Sequence, residues 1–212
     1  MQPALALSRM KKNNQFKITK SICCLLSTLA VVFTAASVEA AQKLRASPSV
    51  GETTFELGTR NRLVRAVGSG EGVSGELTAE KNKISGVLKL NLDSLRTDVP
   101  ERDRIMREKY LRTALYPQAD LEFKSFDLPA GWSMQTPKVA RSTFRAQLKL
   151  NGVSREVTGV YSILNEQLKT EAEFDIKLRD FDIPTPVYLG AVVGDFVHIK
   201  INIRKFEMVQ AF

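Results

Sequence analysis

Apolar and polar residues alternate along the chain, most regularly around its middle hairpin. From 144 to 150, apolar residues at even positions alternate with polar ones at odd positions. This two-residue period is typical of a β-strand with one buried and one solvated face. Asn151-Gly152 follows, a pair that tolerates positive φ in a tight turn, and a second run extends from Val153 to Ile163. The pattern predicts a β-hairpin in which Leu148 faces the core and Lys149 faces solvent.

The same alternation recurs in short segments from residue 54 to residue 203. Turn-forming residues separate these segments at short intervals, and no internal repeat or linker to a second domain is visible. Eight or nine such strands in series predict an all-β domain, either a sandwich or a barrel. The segments lie near 54–57, 62–67, 73–77, 86–92, 121–123, 144–150, 153–163, 168–178 and 197–203.

One stretch lacks this alternation. Residues 101–111 are rich in helix formers, Pro100 can start a helix, and Pro117 lies shortly beyond its end. We therefore predict a short helix over about residues 102–112. Met106 and Tyr110 are four residues apart and share one face of this helix. The helix either covers the opening of a barrel or packs on its outside, and spacing alone leaves both arrangements open.

The first forty residues have the composition of an export signal. Four lysines between residues 11 and 20 precede an uncharged run from Ile22 to Val38, and Ala40 supplies a small residue where cleavage is expected. This order is typical of a secretory signal peptide. A transmembrane anchor is the alternative, but it prefers about 20 apolar residues. We expect cleavage after Ala40, which leaves residues 41–212 as the exported domain.

Removal of residues 1–40 changes the charge balance. Five of the 31 basic and one of the 23 acidic residues lie there, so the remainder has 26 and 22, with net charge +4 instead of +8. These charges alternate along strands and form no basic block, so no nucleic-acid partner is expected. After cleavage no membrane-spanning segment is expected either, and the oligomeric state is left open.

The residue types needed for most site chemistry are scarce. Cys23 and Cys24 both lie in the signal segment, and His198 is the single histidine, on the polar face of the last predicted strand. A transition-metal site or a Ser-His-Asp triad would need these residue types. We therefore expect no catalytic residues, no metal and no cofactor, and we expect the domain not to be an enzyme.

Three segments, in this order, resemble the YceI-like lipid/polyisoprenoid-binding family. The resemblance extends over about residues 50–206. It departs from the family at Ile105 and Asn151, where the family often has histidine, so no histidine role is carried over. The segments are Arg102-Asp103 and Met106 to Leu111 with Tyr116-Pro117 and Leu121-Glu122-Phe123, Leu148 to Thr158 around Asn151-Gly152, and Phe181-Asp182-Ile183 with Val193-Gly194-Asp195 and Val197 to Ile203.

The resemblance implies a lipocalin-like antiparallel β-barrel of about eight strands with one short helix. It also implies a periplasmic protein that holds a long isoprenoid or another long-chain amphiphile. The alternative is a packed barrel without a ligand, acting as a structural, interaction or stress-accessory module. Small residues such as Gly75 and Gly86 either leave space inside or allow the strands to coil.

The apolar rows supply the candidates for contact with such a ligand. The interior of a barrel of this size is just wide enough to be filled by side chains or to hold one elongated ligand, and periodicity alone favours the filled core. Met106 and Tyr110 are expected at the mouth, on the short helix. The expected lining comprises Phe55, Leu90, Phe123, Phe144, Leu148, Phe174, Ile176 and Ile199.

Overall fold

The described part of the chain is mostly antiparallel β-sheet. The structure is a computed structural model that describes residues 41–58, 65–130, 132, 139–164, 168–188, 191–192 and 194–209. The expected signal segment 1–40 and residues 62–64 of one predicted strand lie outside these ranges. The strands are β1 (Gln42–Ala46), β2 (Gly51–Gly58), β3 (Arg65–Glu71), β4 (Ser74–Glu80), β5 (Lys83–Asn91), β6 (Gln118–Asp127), β7 (Ala140–Leu150), β8 (Val153–Ile163), β9 (Thr170–Lys177), β10 (Val187–Tyr188), β11 (Ala191–Val192), β12 (Phe196–Ile203) and β13 (Glu207–Val209).

The main sheet has eleven strands in the order β13-β1-β4-β5-β6-β7-β8-β9-β12-β2-β3, and β10 and β11 form a separate hairpin. The all-β, lipocalin-like class is confirmed, whereas the expected number of about eight strands is wrong. In the main sheet, the two strands for which the alternation gave no segment are β1 and β13. Between β3 and β4, the Gly51 carbonyl accepts hydrogen bonds from both Gly72 and Val73, at 3.0 and 3.1 Å.

The curl of the sheet depends on two glycines on neighbouring strands. Gly75 and Gly86 have φ values of 152° and 136°, and a bulge precedes Gly86. A Cβ atom at Gly75 would lie 2.0 Å from the Val87 carbonyl oxygen, and one at Gly86 would lie 2.2 Å from that of Glu76. These glycines therefore allow close backbone approach and coiling, rather than leaving open space for a ligand.

The predicted hairpin is confirmed. Strands β7 and β8 pair along their whole length across the two-residue turn, in which Asn151 and Gly152 have φ values of 53° and 81°. Leu148 is buried and Lys149 is exposed, as the alternation requires, and Lys177 on β9 is also exposed. The register therefore buries the apolar rows and leaves the charged rows in water.

The predicted helix is confirmed in position but changes type along its length. An α-helix, α1, spans Pro100–Ile105, with Pro100 in its first turn, and Met106–Leu111 continues it as a π-helix. Arg112 ends it in the left-handed conformation, with φ 51°. π-Helical turns are rare and are often found at functional sites.

Asn151 joins this helix end to two other parts of the fold. Its side chain is nearly fully buried, and its Oδ1 accepts a hydrogen bond from Arg112 Nε at 2.9 Å. Its Nδ2 donates to the carbonyl oxygen of Phe181 at 2.9 Å, at the end of the 3₁₀ turn Leu178–Phe181. The three segments that carry the family resemblance thus meet at one buried amide.

Candidate functional site

A cavity of about 200 Å³ lies inside the curled sheet, and we call it the large cavity. Inward rows of β2, β5, β6, β7, β9 and β12 line it, and alternation places every second side chain of these strands on that face. Its wall is almost entirely hydrocarbon. Such a space suits an apolar molecule, because a cavity lined by aliphatic and aromatic side chains offers water few hydrogen-bond partners.

Eight of the ten side chains expected to contact a ligand line the large cavity. The structure brings together residues from five different strands and from the helix, although they are far apart in sequence. They are Phe55, Leu90, Leu148, Phe174, Ile176, Ile199, Met106 and Tyr110.

The other two candidates, Phe123 and Phe144, line a second cavity of about 70 Å³, which we call the aromatic cavity. Their ring centroids are 5.6 Å apart in an edge-to-face arrangement. Phe126 lies 5.3 Å from Phe123 and 5.2 Å from Tyr161, which extends the cluster. These distances are typical of favourable aromatic pairs, so part of this region is well packed.

The helix contributes directly to the wall of the large cavity. Ile105, Met106, Tyr110 and Leu111 all line it. The Tyr110 hydroxyl also accepts a hydrogen bond from the backbone N–H of Val187 on β10, at 3.1 Å. Of the two arrangements left open by the sequence, the structure therefore favours the helix that covers the cavity.

A polar group beside the helix includes Arg102 and Asp103, which the family resemblance pointed out but to which the sequence assigned no role in a site. Arg102 and Thr97 both line the large cavity, and Arg102 donates from Nε to Thr97 Oγ1 at 2.7 Å and from Nη2 to Thr97 O at 2.8 Å. The buried Asp103 carboxylate accepts from the N–H of Thr97 at 2.7 Å. This network connects the start of the helix to the loop after β5. A periodicity argument could not find it, because these residues lie outside the alternating strands.

Two features of other protein classes, a metal-binding cluster and a membrane-spanning helix, are absent from the described residues. These residues contain no group of three His, Cys, Asp or Glu side chains that could hold a metal ion. In the same ranges, no helix is both long enough and apolar enough to cross a membrane. His198 lies on the outer face of β12, where its Nδ1 is 2.8 Å from Asp175 Oδ1.

We expect His198→Ala to leave folding and ligand binding nearly intact. The side chains of His198 and Asp175 are 47% and 73% exposed, and ion pairs so open to water contribute little to stability. The free energy of unfolding should change by about 0.5 kcal/mol or less, measured by urea denaturation. A large loss of binding in this variant would contradict the outward placement of this histidine.

Tyr161, beside the aromatic cavity, makes stability depend on pH in the alkaline range. Burial raises its pKa from 10.0 to about 12, an effect that a hydrogen bond with Ser142 reduces and the nearby Asp127 charge increases. The contribution of Tyr161 to the free energy of unfolding is therefore complete below pH 10. It is lost as the pH rises from 10 towards 12, because the tyrosine ionises at a lower pH in the unfolded chain than in the folded one. Unfolding experiments from pH 9 to 12 should show that the free energy of unfolding declines as the pH rises, and that this decline is smaller in Tyr161→Phe than in the wild-type protein. Equal declines in the two proteins would refute this assignment.

Comparison with known proteins places this architecture in a family. The YceI-like domain matches residues 45–205. Among curated proteins, a sequence search finds no match. A polyisoprenoid binding domain from Saccharophagus degradans, described as implicated in plant cell wall breakdown, has a similar structure. It is 15% identical, with a TM-score of 0.58 over 79% of this chain and 98% of that one.

BcnA of Burkholderia cenocepacia is also similar in structure. Its identity is 16% and its TM-score is 0.59, over 74% of this chain and 98% of that chain. At such identities, both likenesses establish the fold alone. The family match covers most of the chain and includes every strand from β2 to β12. The chain therefore belongs to the YceI-like family.

Proposed function

We propose that this protein is a periplasmic binding or carrier protein that holds an elongated apolar ligand, a polyisoprenoid or a similar lipid, inside its barrel. The observation that carries the proposal is the large cavity of about 200 Å³, with its almost entirely apolar wall. The solved structure described as a polyisoprenoid binding domain supports the choice of ligand class.

Burial of hydrocarbon supplies the affinity in this proposal. Covering an apolar chain stabilises the complex by about 0.8 kcal/mol for each buried CH₂ group, so a long ligand binds without many hydrogen bonds. Selectivity then depends on the length and shape of the ligand. The protein binds its ligand and does not transform it, since the proposed contacts are aliphatic and aromatic side chains such as Leu148 and Phe174.

The test is a search for lipid in protein purified from bacteria that export it. Native mass spectrometry and organic extraction should reveal one co-purifying lipid per chain, which is released on unfolding. Purified protein stripped of lipid should then bind a fluorescent isoprenoid at micromolar concentration. If extracts contain no lipid and the fluorescent isoprenoid does not bind, the protein is the packed module without a ligand instead.

The periplasmic location rests on the expected signal peptide. Strand β1 begins at Gln42, two residues beyond Ala40, so cleavage there would leave the described fold complete. We expect the mature chain to begin at Ala41, because the segment before it has the layout that a signal peptidase recognises. Intact-mass measurement on protein from the periplasmic fraction checks this. A mass that includes residues 22–38 would contradict it.

A further inference from the structure

Two side chains line both cavities. Leu88 on β5 and Ile201 on β12 contact the large cavity and the aromatic cavity, and both are buried. Four strands separate β5 from β12 in the sheet order, so the two side chains approach from different sides of the barrel interior. They form a shared wall between the two spaces, and we call this pair the partition.

Aromatic rings continue the same wall. Phe174 lines the large cavity and Phe144 lines the aromatic cavity. Their ring centroids are 6.0 Å apart at an interplanar angle of 84°, an edge-to-face contact. Side chains that line one cavity are therefore in direct contact with side chains that line the other.

We propose that the partition sets the maximum length of the ligand chain, and that the aromatic cavity is a site for the far end of a longer chain once the partition is reduced. This inference rests on the proposed function and deepens it by naming residues that determine specificity. A chain that enters beside the helix gains contacts until it reaches Leu88 and Ile201. Carbon atoms beyond that point remain in water or force the chain to fold back.

The lining of the aromatic cavity is suited to hydrocarbon. Phe123, Phe126 and Phe144 contribute rings, and Leu44, Leu77 and Ile84 contribute aliphatic groups. A methylene that moves from water into such surroundings is stabilised in the same way as one in the large cavity. Shortening a partition side chain therefore opens further space in which carbon atoms can be buried.

The experiment measures affinity for a series of straight-chain alcohols of ten to twenty carbons by displacement of a fluorescent isoprenoid. For wild-type protein, affinity should rise by about fourfold for each added methylene up to a limiting length, and then stay level. In Leu88→Ala the limiting length should increase by at least two carbons. Ile201→Ala, which shortens the other side chain of the partition, should produce the same increase in limiting length.

Leu90→Ala is the matched control. Leu90 is two residues further along β5 on the same face and lines the large cavity, but it does not line the aromatic cavity. Its shortening enlarges the large cavity without reducing the partition, so affinity changes while the limiting length stays at the wild-type value. If Leu88→Ala or Ile201→Ala does not fold, the milder Leu88→Val and Ile201→Val should shift the limit in the same direction.

Two results would overturn the inference. One is a wild-type affinity that rises through the entire series without a limit, and the other is an unchanged limit in the partition variants. If neither alcohols nor isoprenoids bind the wild-type protein, the proposed function itself fails. These outcomes are distinct, because the partition can be wrong in a protein that still binds lipid.

Discussion

The Ala119→Phe variant should lose its ligand while keeping its fold. Ala119 is a buried residue on β6 that faces the large cavity, and it pairs with Leu90 on β5. A phenyl ring at this position occupies space that the ligand would use. Displacement of about three methylene groups costs about 2.4 kcal/mol, roughly a sixtyfold loss of affinity. Titration with a fluorescent isoprenoid and native mass spectrometry of the purified variant both measure this loss.

Gln118→Phe is the matched control for this change. Gln118 precedes Ala119 on β6 and is exposed, because successive side chains of a strand point to opposite faces. The control adds the same ring outside the barrel and should leave affinity at the wild-type value. Thermal unfolding should show that both variants fold. Equal lipid content in Ala119→Phe and wild type would contradict a ligand site in the large cavity.

Ala146 is a less suitable position for the same test, although it is also small, buried and inward-facing. It lies on β7 but lines neither the large nor the aromatic cavity. A larger side chain there would overpack the core, which typically costs about 1–3 kcal/mol and says nothing about a ligand. Gly159 is unsuitable for another reason, since a Cβ atom there would lie 2.4 Å from the Glu173 carbonyl oxygen.

The alternation of residue types predicts which face of a strand a side chain occupies, but not its depth along the barrel. Leu148 faces inward and Lys149 outward because a shift by one residue would exchange the apolar and charged rows. Phe144 lies on the same inward row as Leu148, and the two nevertheless line different cavities. Depth depends on how strands are staggered against each other, and a single strand contains no such information.

Tertiary contacts also decide the features that the sequence did not indicate. Strand β13 spans only the three residues Glu207–Val209, too few to show an alternating pattern, and it is recognised by its pairing with β1. The change from α- to π-helix at Met106 follows no local rule of residue preference. The polar network of Thr97, Arg102 and Asp103 forms where a loop meets the helix, so no periodic signal reveals it.

Asn151 belongs to a motif that the sequence revealed, but the motif does not indicate the hydrogen bonds that Asn151 makes to distant residues. Asn-Gly predicts the turn, because both residues tolerate positive φ, and the turn is present. Turn residues are usually exposed, however, whereas Asn151 is only 2% exposed and bonds to the backbone of Phe181 and the side chain of Arg112. The residue thus combines a local role in the turn with a long-range role that only the fold displays.

We expect Asn151→Ala to be among the most destabilising single substitutions in this domain. Alanine removes the bonds to Phe181 and Arg112 and leaves a buried carbonyl and a partly buried guanidinium without this partner. It also places a residue that disfavours positive φ at a φ of 53°. Together these effects should lower the free energy of unfolding by about 2–4 kcal/mol, measured by urea denaturation.

Asn151→Gly separates the two contributions. Glycine adopts positive φ without strain, so this variant keeps the turn and loses only the side-chain hydrogen bonds. If the buried amide stabilises the junction, the glycine variant should still be less stable than wild type, by about 1–3 kcal/mol, but more stable than the alanine variant. A glycine variant as stable as wild type would show that Asn151 acts through the turn alone. The meeting of the helix end, the hairpin and the Phe181 turn would then depend on apolar packing, such as the fully buried side chain of Phe181.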